Sequence, residues 1–345
     1  MLSDTNLLTN PQDNRWMSFV KQNTSASIFH HPAWSQLLVD CYNYKPFVII
    51  VLNGDGEICA GLPIMQINSR ITGRRWVSLP FSDYCTPLYR DDQALGQLTN
   101  QLVEIYKGGM IPKMELRGEY PLHATIQRTS HEVLHMVHLE PDAELMLKRT
   151  HKMHQRNIKK AQKEGVHVER YTTKSALDVF YNLHLQTRQR QGVPIQPKKF
   201  FDLLGKNIID RSLGFVSLAY KDDECIAGSV FLHWQQTLTY KYGASNEIGR
   251  DLRANQLLMW SAIRWGCENG YKLFDMGKTD NENTGLRQFK SMWGAVEQPL
   301  IYSTMSSKPP QPNNGRLHSI METVIQGSPL WVCRLTGELL YGHFG

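Results

Sequence analysis

The sequence carries one pattern twice, and this repetition constrains the fold more than any other feature. Residues 47–61 read FVIIVLNGDGEICAG, and residues 215–228 read FVSLAYKDDECIAG. In each stretch, a β-branched apolar run is followed by a short polar turn and a second run ending in Ala-Gly. This is the pattern of a β-hairpin. The repetition therefore predicts two copies of one module in the 345-residue chain.

The match extends downstream of both hairpins. Residues 94–118 and 254–277 each contain a segment with helical apolar spacing, a glycine stop and a short strand. Glu115 and Asp275 occupy matching positions in these strands, and residues 131–140 align with residues 296–305. The repeated unit is therefore an α/β module. We predict an N-terminal extension at 1–24, a first module at 25–140, a second module at 141–307, and a linker with a C-terminal tail at 308–345.

The composition excludes some classes of protein. Hydrophobic residues make up 41% of the chain, which supports sizeable cores and excludes a mostly disordered chain. The net charge of +6 fits phosphate-bearing partners but is far below that of a nucleic-acid coat. The N-terminus lacks a signal-peptide pattern, the longest apolar run, 46–52, is too short to span a bilayer, and the six cysteines form no C-x-x-C pair. We expect a cytoplasmic protein whose membrane contact is peripheral.

Two segments outside the repeat carry their own signals. Residues 145–163 contain seven Lys or Arg and no acidic residue, and a single helix from Asp142 to Gly165 would place Lys152, Arg156, Lys159 and Lys163 on one face. The tail from Ser328 mixes Trp331 and several leucines with few charges. It is interpreted as a docking helix, with a membrane-surface contact as the alternative.

Residues 131–135 read HEVLH, which matches the H-E-x-x-H zinc motif. On a helix, His131 and His135 would lie one turn apart and could share a metal ion. The repeat instead predicts a strand, on which residues four apart stand roughly 13 Å apart and cannot chelate one ion. We therefore expect surface or half-buried histidines and no metal site.

Two segments of the second module suggest acyl-transfer or phosphate chemistry. Arg250 and Arg253 precede a helix N-terminus, whose free N–H groups could cradle a phosphate; the alternative is a solvated loop. Lys290 lies between Phe289 and Trp293 and could aim its ammonium at an oxyanion or a phosphate. The alternative is a surface lysine with only its alkyl chain covered.

These residues resemble the Gcn5-related N-acyltransferase (GNAT) fold as used by the FemAB-like family. The resemblance rests on the motifs YKYGAS (240–245), RAN (253–255), FDMG (274–277) and FKSMWG (289–294), supported by RNIKKA (156–161) and LPFSDY (79–84). It spans roughly residues 25–305. It implies an α/β (α+β) fold of two tandem GNAT-like modules, each a mixed, mostly antiparallel twisted sheet flanked by helices. FemAB-like proteins build peptidoglycan interpeptide bridges, and relatives are linked to exopolysaccharide biosynthesis.

The resemblance implies acyl transfer from an activated donor to an amine of a cell-envelope saccharide or peptide precursor, at the inner face of the membrane. The donor would be an aminoacyl-tRNA or, alternatively, an acyl-CoA, and no metal is implied. Lys290 would stabilise the oxyanion, Asp83 would act as base or position the acceptor, and Asp275 is a third catalytic candidate. Candidates for substrate contact are Arg156, Arg188, Tyr242, Phe289 and Trp293; candidates for donor binding are Arg250, Arg253 and Asn255.

One position departs from the family pattern. Acetyl-CoA users of the fold carry a glycine where this chain has Arg253, and a bulky residue hinders the close backbone approach that glycine allows. This favours the aminoacyl-tRNA donor. A non-catalytic binding protein that kept the fold remains the alternative from another functional class, and the sequence leaves the oligomeric state open.

Overall fold

The computed structural model describes residues 8–307 and 323–344. The chain divides into two compact units. Unit 1 is drawn from Met1–Glu132, Pro299–Gln311 and Gly342–Gly345, and unit 2 from Val133–Gln298 and Pro312–Tyr341, as far as these segments are described. Strands β7 (Gln127–His138) and β13 (Val296–Ser306) contribute residues to both units.

Unit 1 is built on a sheet in which most neighbours are antiparallel. Its strands are β1 (Leu8–Thr9), β2 (Lys45–Leu52), β3 (Ile58–Ser69), β4 (Gly73–Val77), β5 (Leu88–Tyr89) and β6 (Lys113–Leu116). The order is β1-β2-β3-β4-β6, with β5 beside β3; β4 and β6 are parallel, and residues 303–306 of β13 pair with β6. The helices are α1 (Asn14–Gln22), α2 (Pro32–Tyr42) and α3 (Asp92–Lys107).

Unit 2 repeats the hairpin and the helix that follows it. Its further strands are β8 (Val166–Tyr171), β9 (Gly214–Lys221), β10 (Glu224–Trp234), β11 (Thr237–Ser245) and β12 (Leu273–Asp280), in the order β12-β11-β10-β9-β8. Its helices are α4 (Ala143–Arg149), α5 (Lys152–Lys163), α6 (Lys174–Arg190), α7 (Lys198–Leu204), α8 (Glu247–Asp251), α9 (Ala254–Glu268), α10 (Thr284–Ser291) and α11 (Leu330–Phe344), the last reaching beyond unit 2 after Tyr341.

The two predicted hairpins are confirmed as β2–β3 and β9–β10, and the predicted helices as α3 and α9. The glycine that ends each repeat has the same physical role in both units. A Cβ on Gly61 would lie 2.6 Å from the Trp16 ring, and a Cβ on Gly228 would lie 3.1 Å from the Phe180 ring. In each unit the missing side chain lets an aromatic ring from a helix lie directly on the sheet.

The single helix predicted from Asp142 to Gly165 is wrong. The chain forms two helices, because Thr150 and His151 take extended conformations and cap α4 and α5 respectively. The His151 N–H donates to the Met292 carbonyl at 2.9 Å, a contact distant in sequence. The predicted basic face is nevertheless exposed on α5, at Lys152, Arg156, Lys159 and Lys163.

The tail helix α11 docks through small residues. Cys333 is buried, and the backbone at Gly337 lies against the carbonyl of Ile195. Trp331 and Leu339 point outward and are mostly exposed. The predicted linker 308–315 lies outside the described residues. Among the helices that the structure describes, none combines the length and apolar character needed to cross a membrane.

Candidate active site

Strands β11 and β12 part at the position where the candidate site begins. They pair in parallel from Thr237 opposite Leu273 to Thr239 opposite Asp275. Beyond this pair β11 continues to Ser245 and β12 to Asp280. After Asp275, the main-chain groups of β12 are therefore no longer paired with β11. Side chains of unit 2 can bond to them instead.

Lys290 uses these main-chain groups. It lies in the last turn of α10, is 4% exposed, and donates to the carbonyls of Gly277 at 2.9 Å and Lys278 at 3.0 Å. Helix α10 is capped by Asn283, whose side-chain oxygen accepts from the Leu286 N–H. A buried ammonium needs such acceptors because desolvation of an unpaired charge is costly. Lys290 is thus a fixed buried cation rather than a surface lysine.

Asp275 shapes the turn that presents those carbonyls. Its side chain is fully buried, and its Oδ1 accepts the Gly277 N–H at 2.8 Å. Gly277 has a φ of +72°, a left-handed conformation that glycine adopts without steric cost. The carboxylate therefore fixes the backbone at Gly277, whose carbonyl accepts from Lys290.

A second polar cluster lies beside Lys290, and the sequence analysis did not identify it as functional. His135 is fully buried on β7, and its Nε2–H donates to Glu297 Oε1 at 3.1 Å. Glu297 also accepts two bonds from Arg287 of α10, at 3.0 and 2.6 Å. Burial and then the charge of Lys290 lower the pKa of His135, while the hydrogen bond from Arg287 lowers the pKa of Glu297. The cluster thus pairs a neutral imidazole with an ionised carboxylate.

The H-E-x-x-H motif lies on strand β7, as the repeat predicts. The expectation of surface or half-buried histidines is wrong for His135, which is fully buried. In the part of the chain that the structure describes, no group of three His, Cys, Asp or Glu side chains is arranged to hold a metal ion. The repeat alignment gave no signal for this partner, because it marks residues 131–140 and 296–305 as equivalent segments of the two modules and does not predict contact between them.

Phe289 and Trp293 pack around a histidine of α5. The His154 ring stacks on Trp293 at 4.4 Å, and its Nε2–H donates to the Phe289 carbonyl at 3.0 Å. Trp293 is only 1% exposed and belongs to the core of unit 2. Phe289 is half-buried beside it. These contacts join α10 to α5.

Tyr242 and Arg188 lie near another buried histidine, His184. A bulge at Lys241 sets the Tyr242 orientation, since Tyr242 pairs with Val230 whereas Tyr240 pairs with the adjacent Phe231. Tyr240 consequently packs against the core of unit 2 that includes α9. The centre of the Tyr242 ring lies 5.7 Å from the centre of the His184 ring.

Burial and then the charge of Arg188 lower the pKa of His184 to about 3. Arg188 itself donates to the Pro194 carbonyl at 3.2 Å and to the Tyr341 hydroxyl at 3.3 Å. The structure therefore anchors Arg188 to the segment and helix that cover this side of unit 2.

The candidate donor-binding residues surround the start of α9. Arg253 precedes the helix with a φ of +62° and makes no side-chain cap. Arg250 pairs with Glu247 at 3.4 Å, and Asn255 Nδ2 donates to Ser245 Oγ at 3.3 Å. Arg253 therefore adopts, at the glycine position of acetyl-CoA users, the left-handed conformation that glycine favours. The Arg253 side chain does not cap the N–H groups in the first turn of α9.

Asp83 lies in unit 1, within a loop that contains two unusual conformations. Leu79 and Phe81 have φ values of +55° and +60°, and such strain collects at functional sites. The Asp83 carbonyl accepts from the Tyr302 hydroxyl at 2.6 Å, and Arg117 donates to the Ser82 carbonyl. These bonds fix the backbone from which the Asp83 side chain extends.

Comparison with known proteins gives this geometry a context. Residues 148–291 match the family model described as an acetyltransferase (GNAT) domain. The lipid II:glycine glycyltransferase of Staphylococcus haemolyticus (strain JCSC1435) is 32% identical over 75 residues, which are 20% of this chain and 18% of that protein. The chain thus spans about a fifth of the length of this curated relative.

Two solved structures share the fold. FemX has a TM-score of 0.67 and 15% identity, covering 91% of this chain and 99% of FemX. A tandem GNAT protein from the clavulanic acid biosynthesis pathway has a TM-score of 0.51 and 10% identity, covering 88% of this chain and 99% of that one. The expected GNAT-like α/β fold is confirmed. Residues 148–291 are therefore similar to GNAT acetyltransferase domains, and the chain shares the fold of FemX.

Proposed function

We propose that the protein transfers an aminoacyl group to an amine of a cell-envelope precursor and so forms an amide. The observation that carries this proposal is the buried Lys290 ammonium, held on the Gly277 and Lys278 carbonyls where β11 and β12 part, within the GNAT-matched residues. The similarity to a lipid II:glycine glycyltransferase supports peptidoglycan precursors as acceptors and glycyl as the group transferred. Exopolysaccharide precursors are the broader acceptor class.

The proposed reaction needs few protein groups. The neutral acceptor amine attacks the carbonyl carbon of the donor ester and a tetrahedral oxyanion forms. The carbon–oxygen bond of the ester then breaks as the amide forms, and the leaving oxygen takes up a proton to become a hydroxyl, which balances the proton that the amine loses. A fixed positive charge lowers the energy of such an oxyanion most when it is already in place. We assign this role to Lys290, and to Asp275 the role of positioning Lys290 through Gly277.

The amine must lose a proton, and we assign its acceptance to the Asp83 carboxylate. Support for this role comes from the left-handed residues Leu79 and Phe81 and from the bond between Tyr302 and the Asp83 carbonyl. The exposed face of α5, which includes Arg156, supports binding of phosphate groups on either substrate. Tyr242, Arg188 and Phe289 are assigned to substrate contact.

We assign an aminoacyl-tRNA as donor, since the Arg253 side chain stands where a CoA pyrophosphate would require close backbone approach. An acyl-CoA donor is the second candidate. It is favoured by one observation, that α9 begins without a side-chain cap next to Arg250 and Arg253. We place the reaction at the cytoplasmic face of the membrane, with the exposed apolar side chains Trp331 and Leu339 of α11 as a peripheral contact.

The test is a reconstituted transfer reaction. The purified protein is incubated with lipid II in detergent micelles and either tRNA charged with radiolabelled glycine or radiolabelled acetyl-CoA. Label in lipid II from glycyl-tRNA supports the proposal, and label only from acetyl-CoA supports the second candidate. Saturable binding of lipid II without any transfer would contradict both and favour a binding protein.

A further inference from the structure

A cleft of about 210 Å³ opens on unit 2 between strands β8 and β9 and the C-terminal half of α9. Its lining includes Arg170, Arg264, Trp265 and the hydroxyls of Ser217 and Ser261. Ser261 and Trp265 lie about 9 and 15 Å along the helix axis from Asn255. The cleft is therefore separate from the candidate donor site at the start of α9.

Aromatic rings hold Arg170 in place. Its guanidinium carbon lies 4.9 Å from the centre of the Trp265 ring and 5.5 Å from that of Phe215. Within residues 8–307 and 323–344, its side chain has neither a hydrogen-bond acceptor nor a carboxylate partner. Stacking fixes the plane of a guanidinium while leaving its N–H edges available, and these edges match the oxygens of a phosphate or carboxylate. Arg170 thus lines the cleft with a guanidinium whose N–H edges are available to an anion.

Three further groups complete the cleft. Ser217 is 2% exposed on β9, and Ser261 lies across from it on α9. Arg264 brings a second guanidinium, whose Nε is 3.9 Å from Glu268 Oε1. That distance permits only a weak ion pair between two half-exposed groups. Glu268 is the carboxylate of the lining, and its charge is partly offset by Arg264.

We propose that this cleft binds a phosphate group. Two guanidinium forks and two hydroxyls offer more donors than the two oxygens of a carboxylate can accept, whereas a phosphate presents three or four. The volume equals that of roughly seven water molecules in the liquid, enough for a phosphate and the first atoms attached to it. The site rests on these contacts alone and is independent of the proposed acyl transfer.

Calorimetric titration of the full chain tests the proposal with two probes, inorganic pyrophosphate and a short 5′-phosphorylated single-stranded RNA. We expect saturable binding of at least one probe, weakening as salt is raised. Arg170→Ala should lower that affinity about tenfold or more, because a charge-assisted pair is lost. Pyrophosphate binding identifies a small phosphate ester as ligand, and binding of RNA alone identifies a nucleic-acid phosphate.

Matched variants separate the site from bulk charge. Arg211→Ala removes an exposed arginine of unit 2 outside the cleft and should leave the affinity unchanged. Arg264→Ala removes the second guanidinium of the cleft, and Arg170→Lys replaces the first guanidinium while keeping its charge. Thermal melts check that each variant folds. The proposal is overturned if the folded wild type binds neither probe, or if Arg170→Ala and Arg264→Ala both bind as tightly as Arg211→Ala.

Discussion

The Nζ atom of Lys290 lies 2.9 Å from the carbonyl oxygen of Gly277, and this bond joins the last turn of α10 to the bend in β12. Gly277 receives a second constraint from Asp275, which accepts its N–H. One residue therefore links a buried lysine and a buried carboxylate through its main-chain groups. The main-chain geometry at Gly277 thus contributes to the position of the Lys290 ammonium.

Lys290→Met should lower the transfer rate by about 10²–10³-fold, because a fixed charge near the oxyanion is removed. It should also lower the free energy of unfolding by about 1–3 kcal/mol, since two carbonyls lose their buried donor. Lys272→Met, at an exposed lysine just before β12, is the matched control and should change neither. Rate measurements with urea unfolding check both effects. A folded Lys290→Met variant that keeps the wild-type rate would remove Lys290 from the mechanism.

Gly61→Ala and Gly228→Ala should each lower the free energy of unfolding by about 1–3 kcal/mol, because the added methyl would lie too close to its neighbours. It would be 2.6 Å from the Trp16 ring at Gly61, and 2.9 Å from Leu218 and 3.1 Å from the Phe180 ring at Gly228. Gly54→Ala is the control: nothing lies within 4 Å of its Cβ position, and its φ is not left-handed. Its effect should stay within about 0.5 kcal/mol. Urea titrations measure all three, and equal effects at Gly54 and Gly61 would contradict the packing argument.

His30 should contribute to a fall in stability between about pH 7.5 and 5. This side chain is fully buried, and burial lowers its pKa to about 4. Its ring nitrogens bond the Ser27 N–H and the Thr86 carbonyl, which suits the neutral form. An unfolded histidine has a pKa near 6.5, so protons bind the unfolded chain first as the pH falls. The stabilisation is complete above about pH 6.5 and decreases as the pH approaches 4.

The expected loss from His30 is roughly 2 kcal/mol between pH 7.5 and 5. His30→Gln should be less stable at pH 7.5 but should show a flatter dependence on pH. Urea unfolding at several pH values measures both slopes. An unchanged slope in the variant would show that His30 is not the group that binds the proton.

Arg253→Gly and Arg253→Ala should differ in stability by about 1 kcal/mol, with glycine the more stable. The reason is the φ of +62°, which costs an L-residue energy that glycine avoids. Differential scanning calorimetry compares the two variants, and Arg250→Ala and Arg250→Gly serve as the pair at a neighbouring residue with ordinary φ. If the Arg253 pair melts at the same temperature, the left-handed conformation is not retained in solution.

The sequence predicted the parts of the fold that depend on local patterns. The hairpins at 47–61 and 215–228 and the helices after them follow from periodicity within each segment. The break between α4 and α5 did not, because it depends on the bond from His151 to Met292. The pairing of His135 with Glu297 is equally non-local, since only the arrangement of β7 and β13 brings these two residues together.

The candidate site was predicted as a set of residues rather than as an arrangement. Lys290 was identified, but whether it was buried could not be decided from Phe289 and Trp293 alone. The partners that decide it are main-chain oxygens, which carry no sequence signal. Asp275 was identified from the repeat, whereas its bond to Gly277 depends on a backbone turn. The orientation of Tyr242 depends on a bulge that alternation would not predict.

That bulge has a consequence for how the strand can change length. Lys241 is the extra residue that lets Tyr240 enter the α9 core while Tyr242 meets His184. Removing Lys241 alone would leave the two tyrosines adjacent and on opposite faces, as they are with the bulge. A one-residue insertion or deletion elsewhere in the strand would instead turn the residues beyond it to the other face, because side chains alternate along a strand. Related chains that preserve this arrangement should therefore tolerate loss of the bulged residue, whereas other changes of length in this strand should occur in pairs or in the turns on either side of it.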